Sequence, residues 1–459
     1  MTVPANRRTL AVLFAGVMVG ALDIAVVGPA LPSIQQAFGV DTRSLAWVFN
    51  LYILCSLVAA PLVAKLSDRH GRRSVYALSL AVFGLGSLLV ASAPSFGWLL
   101  LGRAVQAAGA GGLMPIAAAV VADTYAPERR GSALGLIGAV FGVAFVIGPI
   151  LGGMLLEYGW QWLFLLNLPL IAVLVPASLK LLPRSQATSL APFDWQGAAC
   201  LAVLLVASVS WLAQIDAAEL PASLARGRSL PLLVVAATAA VAFWQIEKRA
   251  ADPVFHASLL RSRQLRLVGF VAVSTGLVEA GMVFLPSLSV QAFGVTPSAA
   301  SFMLLPLVAA LIVGSLVAGL LLDRIGAKPV IQGGLVLTAL GLLLLARRPL
   351  GIWSFYAAGS GVGLGLAALL GAPLRFLALQ EAGEGRRGAG QGLLALHLSV
   401  GRMAGAAVIG GFVATGASAL AGYRHALLFL AVVTTAAAVA STALRSRAKA
   451  PASAHERGT

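Results

Sequence analysis

The sequence predicts an all-α integral membrane protein of fourteen transmembrane helices, two six-helix bundles with two further helices inserted between them. Three observations carry this. The 459 residues are 59% hydrophobic and 10% charged, with a mean hydropathy of +0.93, more apolar surface than a soluble chain of this size can hide. Many apolar runs reach or approach the ~20 residues that cross a ~30 Å hydrocarbon core. The third observation is internal repetition. Gln36-Ala-Phe-Gly-Val40 recurs as Gln291-Ala-Phe-Gly-Val295, and Asp68 recurs as Asp323, both at an offset of 255. Arg129-Arg-Gly131 with Gly135-Leu136 recurs as Arg386-Arg-Gly388 with Gly392-Leu393, at an offset of 257.

Backbone groups in lipid must be satisfied within their own segment, so the runs are helices. Strand-like alternation is absent, which excludes a membrane barrel. The first bundle (residues 1–182) has spans near 9–32, 45–64, 75–93, 97–122, 132–155 and 161–182. Spans near 195–215 and 230–247, with their flanking linkers, form the insertion (183–265). The second bundle (266–445) has spans near 267–287, 298–322, 329–346, 353–378, 392–415 and 425–444, and residues 446–459 form a polar cytoplasmic tail. Arg7-Arg8 before an apolar run has the look of a signal peptide. The run is too long for one and lacks a small-residue cleavage site, so it reads as span one, uncleaved.

The net charge of +16 raises nucleic acid as a partner, and its placement argues against it. With the N-terminus inside, the inner connections hold most of the Lys and Arg, among them Arg69, Arg72, Arg73, Arg129, Arg130, Lys180, Arg261, Arg263, Arg324 and Lys328. That bias sets both termini in the cytoplasm; Arg347-Arg348 is the one outer pair against it. Cys55 and Cys200 lie singly within apolar runs and read as packing residues. No nucleotide, cofactor or metal-ligand signature is present, so neither ATP-driven transport nor an enzyme is expected.

Ala64-Lys-Leu-Ser-Asp-Arg-His-Gly-Arg-Arg73 lies between spans two and three. It resembles the Gly-x-x-x-Asp-Arg-x-Gly-Arg-Arg loop of the major facilitator superfamily, with Asp68, Arg69, Gly71, Arg72 and Arg73 matching and Ala64 replacing the leading Gly. A second copy runs Gly319-Leu-Leu-Leu-Asp323-Arg324-Ile-Gly326. The resemblance implies two six-helix halves rocking about a central cavity, with this loop gating its cytoplasmic side. Asp123 or Glu128, at the inner end of span four, is within reach of Arg69, Arg72 and Arg73. Fourteen spans resemble the drug:proton antiporter branch. So do Leu22-Asp-Ile-Ala-Val-Val-Gly-Pro-Ala-Leu-Pro32 in span one, Gly148-Pro149-Ile-Leu-Gly152-Gly153 in span five, and Trp160-Gln-Trp-Leu-Phe-Leu-Leu-Asn-Leu-Pro169 at the entry to span six, with Gln161 where Arg is usual. The span-four pattern is Gly102-Arg103-Ala-Val-Gln106-Ala107, with Ala107 where the family tends to have Gly. The family assigns a sealing role to that span-five stretch and to Gly135. Pro149 also removes a helix hydrogen bond and should kink the span, while the glycines admit a close neighbour. The branch implies a monomeric cell-membrane exporter of amphipathic, often cationic compounds, exchanging them for protons.

Ionisable residues within spans are few and are functional candidates by default. Asp23 lies midway along span one, which lines the central cavity in the resembling family, so it is a candidate for the substrate cavity; an unpaired carboxylate there also costs several kcal/mol to ionise, a property suited to a proton carrier. Arg103 lies at similar depth on span four and is its expected partner. Glu279 on span nine is a second proton or substrate site, with Arg402 on span thirteen as its partner or as a substrate contact. Glu279 is displaced two residues from the repeat position of Asp23, a turn of about 200° around a helix, so the two carboxylates need not share a role. Arg375 is near enough to the inner surface to snorkel, and His397 reads as a packed polar residue. Because Arg103, Arg375 and Arg402 outnumber the two acids, export of an anionic or neutral metabolite remains the alternative.

Overall fold

The computed structural model describes residues 7–125, 140, 143–144, 146–183, 195–212, 214, 229–249, 261–382 and 387–445. Every regular element among them is a helix. In chain order these are α1 (Arg7–Phe38), α2 (Thr42–Leu45), α3 (Trp47–His70), α4 (Arg72–Ala91), α5 (Phe96–Thr124), α6 (Val146–Leu155), α7 (Gln161–Leu165), α8 (Asn167–Leu181), α9 (Trp195–Leu212) and α10 (Leu230–Glu247). The second half continues with α11 (Arg263–Val283), α12 (Leu285–Phe293), α13 (Pro297–Phe302), α14 (Leu305–Ile325), α15 (Ala327–Leu345), α16 (Ile352–Leu370), α17 (Ala372–Ala382), α18 (Arg387–Thr415) and α19 (Ala419–Ser441).

Twelve helical segments are long and apolar enough to cross a membrane. Two shorter apolar helices, Val146–Leu155 and Ala199–Leu212, fall where spans five and seven are expected. Most of 132–145, including Gly135, lies outside the described residues.

The repeat is visible in the backbone as well as in the letters. Gly39 and Gly294, from the two Gln-Ala-Phe-Gly-Val copies, have φ of 61° and 64°. Gly71 and Gly326, from the two loop copies, have φ of 89° and 85°. Only glycine enters this region without steric cost, so each pair marks the same turn in both halves. Two residues after each Gln-Ala-Phe-Gly corner a side chain caps the next helix. Asp41 Oδ1 accepts from Ser44 N at 2.9 Å, and Thr296 Oγ1 accepts from Ala299 N at 3.2 Å.

With no hydrophobic drive between helices in lipid, small residues set how closely backbones approach. A Cβ on Gly86 of α4 would lie 2.3 Å from Gln106 N of α5, and one on Gly109 of α5 would lie 2.5 Å from Phe83 N of α4. In the second half a Cβ on Gly365 of α16 would lie 2.6 Å from Gly334 O of α15. Substituting any of these would push two backbones apart.

The chain forms two compact units. One gathers Met1–Phe255, Glu279–Leu305 and Arg402–Ala426, with a core that includes Leu13, Tyr76, Phe83 and Ile116. The other gathers His256–Val278, Pro306–Gly401 and Leu427–Thr459, with a core that includes Val271, Ile331, Leu335 and Leu374.

Candidate functional site: two ion pairs within the spans

Asp23 and Arg103 are each 0% exposed, and Arg103 Nη1 donates to Asp23 Oδ2 at 2.6 Å. Two buried charges hold together best when their remaining polar atoms are also satisfied, and here all of them but Arg103 Nη2 find partners among the described residues. Gln106, one turn on from Arg103 and so on the same face of α5, supplies much of that. Its Nε2 donates to Asp23 Oδ1 at 2.7 Å, and its Oε1 accepts from Arg103 Nη1 at 2.6 Å. Gln106 Nε2 also donates to Ser87 Oγ at 2.9 Å, and Asn167 Nδ2 approaches the same oxygen at 3.4 Å. Arg103 Nε donates to the Val48 carbonyl at 3.2 Å, and its guanidinium lies 4.3 Å from the Tyr52 ring centroid. Helices α1, α3, α4, α5 and α8 thus each place a group in one network. The expected Asp23–Arg103 pairing is present. The contributions of Ser87 and Asn167 were not evident in the sequence, since a single polar uncharged residue in an apolar span gives little signal. Gln106 had a signal: its i+3 spacing from an intramembrane arginine.

The second ion pair has a different character. Arg402 Nε lies 3.2 Å from Glu279 Oε2, with side chains 24% and 16% exposed. Both facing atoms are shut off from solvent, yet they do not meet hydrogen-bond geometry among the described residues. The charges touch without being aligned.

Leu10, Phe14, Met18 and Ile24 are partly exposed, and everything from Ala25 to Leu31 is buried. The burial comes from a seam around α6. A Cβ on Gly148 would lie 2.6 Å from Ala25 Cβ, and one on Gly152 would lie 2.7 Å from Pro29 Cβ and 2.5 Å from Ser301 Oγ. Ser301 Oγ donates to the Pro149 carbonyl at 2.8 Å, and Ser298 Oγ to the Gly153 carbonyl at 2.5 Å. Gly153 faces the Phe302 ring. Gly410, 257 residues after Gly153, meets α2 likewise: a Cβ there would lie 3.0 Å from Thr42 O and 3.1 Å from Ala46 Cβ. The expected close packing at Gly148, Gly152 and Gly153 is therefore present, and the serine contacts add to it.

In the loop, Arg72 pairs with Asp123 at 2.9 Å. Arg69 and Arg73 form no ion pair among the described residues. The side chains of Asp68 and Asp323 lie outside the described residues, as do Glu128, Arg129 and Arg130. Arg324 and Arg375 are exposed. His397 Nδ1 is 2.7 Å from the Leu393 carbonyl, with the ring packed over Gly269.

The family model described as Major Facilitator Superfamily matches residues 13–285 and 267–458. The chain belongs to the major facilitator superfamily. It is a multi-pass membrane transporter on the drug-efflux side of that family. The uncharacterised MFS-type transporter YfiU of Bacillus subtilis (strain 168) is 33% identical over 408 residues, 87% of this chain and 78% of that one. The multidrug transporter protein MdtP of the same organism is 31% identical over 82% of this chain and 70% of its own length. The puromycin resistance protein pur8 of Streptomyces alboniger is 34% identical over 74% of this chain and 67% of its own. Among solved structures, the nucleoside transporter NupG aligns with a TM-score of 0.68 at 14% identity, covering 95% of this chain and all of that one, which speaks to the fold alone.

Proposed function

We propose that this transporter exports amphipathic, often cationic, toxic compounds across the cell membrane in exchange for protons, as a monomer working by alternating access. The observation that carries the reading is the sealed Asp23–Arg103–Gln106 cluster. In a membrane span a carboxylate is retained at high cost, and here it is held by donors that must be rearranged if its charge changes. Protonating Asp23 would remove the charge that Arg103 neutralises and bias the bundle toward another packing. Relatives named for multidrug and puromycin resistance support an exported substrate of this kind.

In this reading Asp23, Glu279 and Arg402 line the substrate cavity, and Asp23, Arg103 and Glu279 couple protons to transport. The seam at Gly148, Pro149, Gly152 and Gly153 closes the outer side. The loop residues Asp68, Arg69, Gly71, Arg72, Arg73 and Asp123, with Asp323 and Arg324 in the second half, gate the inner side. The shorter helices α6 and α9 complete fourteen crossings, leaving both termini in the cytoplasm.

The test is Asp23→Asn in proteoliposomes with an imposed pH gradient and puromycin as substrate. The variant should lose gradient-driven uptake into inside-out vesicles and keep measurable binding. Wild-type binding should weaken as pH falls, because proton and cation compete for one negative site, and this dependence should flatten in the variant. Uphill transport at the wild-type rate by Asp23→Asn would make Asp23 a structural residue.

A further inference from the structure

The two ion pairs differ in what they leave open. Around Asp23 both carboxylate oxygens are occupied and the side chain is sealed. At Glu279 and Arg402 the closed atoms are Oε2 and Nε alone. The other carboxylate oxygen of Glu279 and the two terminal amines of Arg402 are neither buried nor bonded among the described residues. The open end of Arg402 is thus the planar fork that binds a carboxylate through two parallel hydrogen bonds. Beside it stands an open carboxylate oxygen, an acceptor for an ammonium group. Met282 and Val283, three and four residues after Glu279, share its face and are partly exposed, which supplies apolar surface next to both charges.

A lone cation binding Glu279 would strand the guanidinium, and a lone anion on Arg402 would strand the carboxylate. Leaving one partner of a part-buried pair unmatched is costly, whereas a molecule carrying both charges side by side satisfies both. We propose that Glu279 and Arg402 form a receptor for a zwitterionic head group, an ammonium and a carboxylate on neighbouring atoms, attached to an apolar body. The chemical class is an amphipathic molecule with an α-amino-acid head. This rests on the reading that the pair contacts transported substrate.

Three compounds of one shape separate the possibilities: L-phenylalanine (both charges), its methyl ester (ammonium only) and N-acetyl-L-phenylalanine (carboxylate only). Binding to the purified full-length protein is measured by calorimetry, with thermal unfolding as the check on folding. The zwitterion should bind at least tenfold more tightly than either relative. Glu279→Gln and Arg402→Gln should each cost it about that factor while barely changing the weaker two. The exchanged pair, Glu279→Arg with Arg402→Glu, should recover part of the loss. Equal binding of all three, absence of binding by any, or dependence of the ester alone on Glu279 overturns the proposal. Failure of pH-gradient-driven transport with this pattern intact would instead overturn the proton-coupled reading and leave the receptor standing.

Discussion

Replacing Gly152 with Ala should open the outer seam. The added methyl would sit 2.7 Å from Pro29 Cβ and 2.5 Å from Ser301 Oγ, and the Pro29 ring cannot rotate out of the way. Carbon atoms in contact prefer about 3.5–4.0 Å, so α6 must retreat by about 1 Å. Overpacking of this kind costs about 1–3 kcal/mol. The retreat also strains the Ser301 bond to the Pro149 carbonyl, and a typical bond of that type contributes about 0.5–1.5 kcal/mol. Both costs fall on the closed seam and not on a state in which it has parted. At about 1.4 kcal/mol per factor of ten, the closed population should fall roughly ten- to a thousandfold relative to the open one. The reporter is a cysteine at Leu31, which is fully buried and two residues along the same helix from Pro29, in a background with Cys55 and Cys200 replaced by Ser. Reaction with a membrane-impermeant maleimide on intact cells should be slow in the reporter alone and at least tenfold faster with Gly152→Ala. An unchanged rate in a stably inserted protein would refute the claim that this seam closes the outer side.

Two further outcomes are expected. Arg72→Gln, which removes the 2.9 Å pair with Asp123, should lower transport turnover severalfold in a protein that still inserts and unfolds cooperatively; unchanged turnover at normal protein levels would reduce the loop to a topology signal. A cysteine placed at Ser453 should resist impermeant labelling from outside intact cells, and efficient labelling there would reverse the proposed orientation.

Much of the architecture was legible because lipid leaves few choices. Apolar runs of the right length are helices, and a repeated five-residue corner with a conformation-demanding glycine announces a duplicated unit. The two ion pairs were legible for a related reason: with so few ionisable residues inside the spans, Asp23 and Arg103, or Glu279 and Arg402, had few other partners. Depth and distance along the chain were enough to match them. In the sequence Gln106 has a place in a motif but no role, and nothing there singles out Ser87 or Asn167, since neutral polar side chains are ordinary in membrane helices. The bonds from Ser298 and Ser301 to α6 join residues about 150 apart in sequence, and no local pattern reports them. Nor does the sequence show the division into compact units, which cuts spans nine and thirteen at Glu279 and Arg402.

The matched corners at Gly39 and Gly294 act as rulers. Each sets how many residues separate the helix before it from the short one that follows, α2 after the first corner and α13 after the second. Surface connections usually absorb an inserted residue without harm. Here one added residue between Gly294 and Pro297 would rotate α13 by about 100°, carrying Ser298 and Ser301 off the carbonyls they bond. The same insertion after Gly39 would turn the α2 backbone away from Gly410. These turns, short and exposed, are therefore among the places where the length of the chain is least free to drift.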